Sequence, residues 1–260
     1  MRIAIYQCEP LPIDVAANLG RLARAAGNAA AQGADLLLCP EMFLTGYNIG
    51  GTAARRLAEA RDGPSASAVA EIARDSRLAI LYGYPERDEQ DAIYNAVQLV
   101  GNDGSSLANY RKTHLFGELD RSMFSASAQA SRVLDVGGWR VGMLICYDVE
   151  FPENTRRLAL AGADLILAPT ANMVPYEVVA TTIVPARAFE NQVYLAYANY
   201  CGSEGQIHYC GLSCLAAPDG TDAARADRNE TVIVGELDRE LMAASRRINT
   251  YLDDRRPELY

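Results

Sequence analysis

Three residues in this chain combine reactive chemistry with a telling local setting: Cys146, Glu41 and Lys112. Cys146 lies in Gly142-Met143-Leu144-Ile145-Cys146-Tyr147-Asp148-Val149-Glu150-Phe151-Pro152-Glu153, where an apolar run gives way to a turn and then a helix. A side chain at such an elbow projects into a pocket, and the turn amides point the same way, which suits a nucleophile with an oxyanion site. A core cysteine at a strand end is the alternative reading. Glu41 follows Leu36-Leu37-Leu38-Cys39-Pro40 and leads into the apolar loop Met42-Phe43-Leu44-Thr45-Gly46-Tyr47. A carboxylate among apolar neighbours holds its proton more tightly, as a general base working near neutrality needs. The alternative is an acid that caps the next turn. Lys112, in Asn109-Tyr110-Arg111-Lys112-Thr113-His114, also follows an apolar stretch, although an Arg-Lys pair by itself reads as a solvated face.

Composition narrows what those groups can be used for. The chain has 260 residues, half of them hydrophobic and 22% charged, which is globular composition. Acids exceed bases by 33 to 24, for a net charge of −9. Nucleic acid is thus an unexpected partner, because phosphate contacts need clustered Lys and Arg. No apolar run has the length of a membrane span, and the N-terminus reads as a strand rather than a signal peptide, so a cytoplasmic location is expected. With only His114 and His208, zinc hydrolases and histidine triads are poor fits. The six cysteines include Cys201, Cys210 and Cys214 near His208, but lack the paired spacing of a zinc site. They read as buried small hydrophobes, and no metal is expected.

The elements that must position the three residues alternate between short apolar runs and Ala-rich helices. Strands are predicted at 2–7, 36–38, 78–84, 95–100, 106–111, 132–136, 140–145, 165–168, 194–200, 211–216 and 231–236. Helices are predicted at 14–32, with Asp14 as N-cap and Gly33 as stop, at 64–76, 153–161 and 175–190, and from Asp238 onward. Gly33-Ala34-Asp35-Leu36-Leu37-Leu38-Cys39-Pro40 recurs as Gly162-Ala163-Asp164-Leu165-Ile166-Leu167-Ala168-Pro169, with changes at two of eight positions. This echo points to two similar half-chains whose sheets stack face to face with helices outside. No Pro/Ser/Gly linker separates the halves. The expectation is one α/β domain over 1–260, a four-layer α-β-β-α sandwich with pseudo-two-fold halves.

Cys39–Tyr47, Tyr110–Leu115 and Leu144–Glu153 together resemble the glutamate, lysine and cysteine motifs of the nitrilase superfamily of carbon–nitrogen hydrolases. The resemblance runs from Arg2 to near the C-terminus, and the family's fold is the α-β-β-α sandwich. It implies that Cys146 attacks a carbonyl carbon and forms a thioester, with Glu41 as base and no cofactor. It also implies that Lys112 and the Tyr147 backbone N–H stabilise the oxyanion. The family's second glutamate falls at Asp120, with Glu118 as the alternative. Tyr47 and the segment Thr170–Glu177, with Asn172, Met173, Tyr176 and Glu177, are expected to line the substrate pocket; for Asn172 and Pro175 a turn and a helix start are the structural alternative. Within the family the resemblance is to amidases that act on 5-aminovaleramide in lysine degradation. N-carbamoyl amidases, ω-amidases and nitrilases are the alternatives. A homodimer or larger homo-oligomer is implied, with the tail 251–260 reaching a partner.

Overall fold

A computed structural model describes residues 1–259 of the chain. Along the first half run β1 (Arg2–Gln7), α1 (Val15–Ala31), β2 (Leu36–Leu38), α2 (Gly50–Leu57), α3 (Pro64–Ser76), β3 (Ala79–Arg87), β4 (Ile93–Val100), β5 (Ser106–Arg111) and α4 (Gly117–Arg121). The second half holds β6 (Leu134–Val136), β7 (Trp139–Met143), α5 (Pro152–Leu160), β8 (Leu165–Pro169), α6 (Val184–Asn191) and β9 (Tyr194–Ala198). It ends with β10 (Ser203–Glu204), β11 (Ile207–His208), β12 (Cys214–Ala216), β13 (Asp222–Arg225), β14 (Thr231–Glu236) and α7 (Arg239–Ile248).

The layers follow from the two-residue period of buried strands. Ile3 and Ile5, Leu36 and Leu38, Leu165 and Leu167, and Ala196 and Ala198 point into the space between two sheets. Their neighbours Ala4 and Leu37 pack under Leu22, Ala26 and Ala29 of α1 and Val69 and Ala73 of α3. On the far side Ile166, Ala168 and Leu195 pack under Leu158 of α5 and Val184 and Ala188 of α6. Both faces of each sheet are therefore covered, which explains why the central strands read as continuous apolar runs. The molecule is the expected α-β-β-α sandwich.

The echo is a structural symmetry. One sheet has the order β14-β1-β2-β3-β4-β5 and the other β6-β7-β8-β9-β12-β13. Each has three parallel strands, β1-β2-β3 or β7-β8-β9, followed by two antiparallel ones. The first edge strand differs: β6 precedes β7 in a hairpin, whereas β14 returns from the end of the chain to pair with β1. The echoed strands β2 and β8 end in equivalent turns that meet. There Glu41 N donates to Thr170 O at 3.3 Å.

Two predicted boundaries moved for physical reasons. The helix expected from Pro175 begins at Glu177, widens into a π segment at Val179–Ile183 and returns to α-helix at Val184. The chain just before it is tied to the β10–β11 ribbon by a bridge from Met173 to Tyr209 and a bond from Val174 N to His208 O at 2.9 Å, and it turns at Val174–Pro175. Strand β12 begins at Cys214 rather than Gly211, because Asn199 and Arg225 side chains bind the Gly211 and Leu212 carbonyls. Among the described residues no helix is long and apolar enough to cross a membrane. The tail forms turns and a short 3-10 segment at Pro257–Leu259, and Tyr260 lies outside the described residues.

Gly83 in β3 shows how closely the core meets the site. A Cβ there would collide with Met42 N and lie 3.0 Å from Glu41 C and Pro40 O. Backbone cannot swing aside as a side-chain tip can. Gly83→Ala is therefore expected to cost about 1–3 kcal/mol, the usual cost of overpacking. Denaturant melts of the variant beside the unsubstituted protein check this. Unchanged stability would mean that the loop after β2 is free to move.

Candidate active site

Glu41 leaves β2 through Pro40, Lys112 directly continues β5, and Cys146 lies three residues past Met143, the end of β7. Lys112 N still bonds Asn95 O at 2.8 Å, so the lysine is fixed by the sheet ladder itself. Leu144 N bonds Leu167 O at 3.0 Å, which anchors the approach to Cys146. Cys146 then opens a 3-10 turn, Cys146–Glu150, with φ at +48°. A non-glycine residue in that left-handed region is uncommon and is held there by its surroundings.

The Lys112 side chain is fully buried and lies between two fully buried carboxylates. Its Nζ donates to Glu41 Oε1 at 2.8 Å and to Asp120 Oδ2 at 2.7 Å. Asn95 Nδ2 donates to the same Glu41 oxygen at 2.6 Å, and Phe116 N to the same Asp120 oxygen at 2.8 Å. Glu41 Oε2 and Asp120 Oδ1 have no protein partner. An ammonium has three N–H donors. Two are used here, so the third is free to meet a developing negative charge.

Burial of two anions with one cation sets the proton affinities. Burial pushes the Glu41 pKa up; Lys112 opposes this and Asp120 adds to it. The two carboxylates outweigh desolvation at Lys112 and hold its pKa well above the ordinary lysine value. Cys146 keeps some exposure as a residue, yet burial around the thiol, then the charge of Glu41, raise its pKa. Lys112 and hydrogen bonds with Thr170 and Ala171 N–H work in the other direction. Both the thiol and the carboxylate thus hold their protons more tightly than usual, so a thiol in this setting can act as a nucleophile only if its proton is taken as it attacks.

The structure sorts the remaining expected residues. Asp120, not Glu118, reaches Lys112; Glu118 is exposed on α4. Tyr47 is buried with its ring centroid 5.8 Å from Lys112 Nζ and its hydroxyl unpartnered. The Tyr147 ring meets Phe116 edge-on at 5.4 Å, and Phe116 meets Tyr176 at 5.8 Å, so these aromatics form one cluster. The Asn172 amide is engaged in its own loop, donating to Tyr176 O at 3.0 Å. Met173 bridges to Tyr209, and Glu177 accepts from Arg228 at 3.4 and 3.5 Å. Cys201, Cys210, Cys214 and His208 form no metal-binding group among the described residues. An open groove of about 960 Å³ runs along the β5 edge past 127–134, and none of Glu41, Lys112 and Cys146 lines it.

Several partners were not singled out from sequence. Asn95 is a buried polar residue on the mostly apolar strand β4, as is Gln98, and that mismatch was its only signal. Glu204 is buried; its Oε2 accepts from Tyr47 N, Asn48 N and Tyr209 OH at 3.2, 2.9 and 2.6 Å, fastening the loop that carries Tyr47. Thr170 had its place in the echo, opposite Glu41.

Known proteins are similar to this chain over nearly its whole length. The Carbon-nitrogen hydrolase family model matches residues 2–247. A Pseudomonas protegens protein described as a hydrolase in the pqqF 5' region is 62% identical over 260 residues, spanning 100% of this chain and 90% of its own. An (R)-stereoselective amidase from a Pseudomonas species is 37% identical over 98% of this chain and 92% of its own. Among solved structures, a double mutant of the amidase from Nesterenkonia sp. AN1 in complex with acrylamide superposes with a TM-score of 0.91. It is 34% identical and is matched over 100% of this chain and 95% of its own.

The raised Glu41 pKa has a consequence for stability. A group that binds its proton more tightly when folded stabilises the protein below its unfolded pKa, and that contribution is lost as pH rises through the folded pKa. Gln resembles protonated Glu. Glu41→Gln should therefore melt close to wild type in acid and above it at neutral pH, with the gap widening as pH rises. Paired melting curves across pH measure this. A variant that melts below wild type at neutral pH would show that the Lys112 ion pair outweighs the cost of burying the carboxylate.

Proposed function

The chain belongs to the carbon–nitrogen hydrolase family, the nitrilase superfamily, and from that premise we propose that it hydrolyses a small linear primary amide through a thioester on Cys146. The observation that carries this reading is the fully buried Glu41–Lys112 ion pair, whose charges act on the Cys146 thiol. Glu41 accepts the thiol proton as sulfur attacks the amide carbon. The tetrahedral oxyanion is met by the third N–H of Lys112 and by the Tyr147 backbone N–H. Glu41 passes its proton to the amine, the C–N bond breaks and ammonia leaves. Glu41 then takes a proton from water, whose oxygen attacks the thioester; the C–S bond breaks, Glu41 returns the proton to the Cys146 sulfur, and the acid leaves. A fixed ammonium in a water-poor site is a strong electrostatic catalyst, because it needs no reorganisation as charge develops. Asp120 keeps Lys112 aimed.

For the substrate we propose 5-aminovaleramide, whose far end carries an ammonium. The acids near the site differ in availability. Glu177 is taken by Arg228, Asp120 by Lys112, and Glu118 faces solvent. Glu150 ends the turn that Cys146 begins and is partly buried. Its backbone carbonyl is held by Arg187 at 2.8 Å, while no donor bonds its carboxylate among the described residues. Burial raises its pKa, against the nearby charges of Lys112 and Arg187. We assign the ammonium to Glu150 on these grounds. Tyr47, Tyr147, Met173 and Tyr176 supply the apolar walls in this reading, and the enzyme works as a homodimer or larger assembly. Sedimentation that finds only the 28.2 kDa species removes the assembly.

A substrate panel tests the reading. A charge-assisted hydrogen bond contributes roughly 1.5–3 kcal/mol. Hence 5-aminovaleramide should exceed valeramide in kcat/KM by about 10- to 100-fold, and glutaramate should trail both. Glu150→Gln should remove the first preference and spare valeramide. Equal rates for the two amides would make this a general aliphatic amidase, and a lead for glutaramate would make it an ω-amidase. Carbon dioxide released in step with ammonia would point to a carbamoyl substrate.

A further inference from the structure

Asp148 is fully buried two residues after Cys146, and the chemistry above gives it no task. Its carboxylate accepts five hydrogen bonds. Oδ1 receives Thr113 Oγ1 at 2.8 Å, His114 N at 2.9 Å and His114 Nδ1 at 2.8 Å. Oδ2 receives Tyr110 OH at 2.9 Å and Ile145 N at 3.2 Å. A carboxylate offers about four lone-pair sites, so none is left for a substrate.

The donors come from two places far apart in sequence. Tyr110, Thr113 and His114 flank Lys112, whereas Ile145 immediately precedes Cys146. One carboxylate therefore joins the residue beside the ammonium to the residue beside the thiol. It also closes the elbow, since Asp148 N donates back to Ile145 O at 3.0 Å across the left-handed Cys146. A buried anion is costly without a counter-charge, and His114 lies in contact. The His114 ring stacks on Phe151 at 4.1 Å between centroids. The hydrogen bond to Asp148 raises its pKa against the cost of burial; Glu153 adds to this and Lys112 opposes it. Thr113 Oγ1 at 2.9 Å and Asn154 Nδ2 at 3.4 Å are the neutral polar groups on the same ring nitrogen.

We propose that Asp148, with the His114 imidazolium as its counter-charge, is a positioning residue that sets the distance between the Lys112 ammonium and the Cys146 thiol. This rests on the reading of Lys112 and Cys146 as a catalytic pair. Because the folded His114 pKa is raised, the imidazolium is complete below the ordinary histidine value and is lost as pH rises through the folded value. The spacing therefore loosens on the alkaline side.

The test measures kcat, KM and thermal melting for wild type, Asp148→Asn, Thr113→Val and His114→Gln, using valeramide across pH. A misplacement of about 1 Å between reacting groups costs about 100-fold in rate. Asp148→Asn should lose about that factor in kcat per folded molecule, with KM within about threefold of wild type. Thr113→Val deletes a single donor and keeps the carboxylate, so it should fold and show a smaller loss of the same kind. His114→Gln should abolish the alkaline decline of kcat seen in wild type and leave a lower plateau. Wild-type kcat per folded molecule in Thr113→Val and Asp148→Asn, or an alkaline decline unchanged in His114→Gln, would overturn the proposal. An active Cys146→Ala would instead overturn the reading of the catalytic pair, so the two failures are distinguishable.

Discussion

The structure depends on one costly arrangement, a buried ammonium between two buried carboxylates. Each charge taken out of water costs several kcal/mol even after relaxation, and attraction recovers this only where the geometry is tight. The 2.7 and 2.8 Å contacts of Lys112 meet that condition. Glu41 Oε2 and Asp120 Oδ1 stay buried without a protein partner. Burial, reinforced by the second carboxylate, raises the Glu41 pKa, and burial with the charge of Glu41 raises that of Cys146. A hydrophobic replacement would serve stability as well; what the ions add is a preorganised field and an acceptor beside the thiol.

Holding the trio requires rigid supports on every side, and the stacked sheets supply them. Glu41 and Lys112 stand at strand ends of one sheet and Cys146 at a strand end of the other. The bond from Glu41 N to Thr170 O joins the sheets at equivalent positions of the two half-chains. Thr170 also contacts the thiol, so the internal symmetry lies at the centre of the site. The apolar layer between the sheets, from Ile3 and Leu38 across to Leu167 and Ala198, fixes the separation of the two supports.

Much of this was legible in the order of residues. Strands buried on both faces are continuous apolar runs, so β1 and β2 could be located closely; the edge strands β5 and β14 are only partly buried, and Asp14 and Gly33 marked the limits of α1. The duplicated Gly-Ala-Asp turn disclosed the half-chain symmetry. The short helices α2 and α4 were missed because neither has a side-chain cap or enough turns to display a period. The β10–β11 ribbon was missed because two-residue strands have no pattern. Within the candidate site, residue types marked Glu41, Lys112 and Cys146 as candidate reacting groups but not their partners. The bonds from Asn95 to Glu41 and from Ile145 and Thr113 to Asp148 are facts of packing that no local spacing encodes.

The central claim is that this charge arrangement makes Cys146 the covalent nucleophile, and the most direct test is to catch the intermediate. Wild-type protein in excess over a primary amide would be acid-quenched within one turnover and peptide-mapped by mass spectrometry. The account predicts an acyl mass on the peptide that contains Cys146, formed as ammonia appears and lost as the acid appears. An acyl mass on the Cys8 or Cys39 peptide, or full turnover with no acylated cysteine at any quench time, would contradict it.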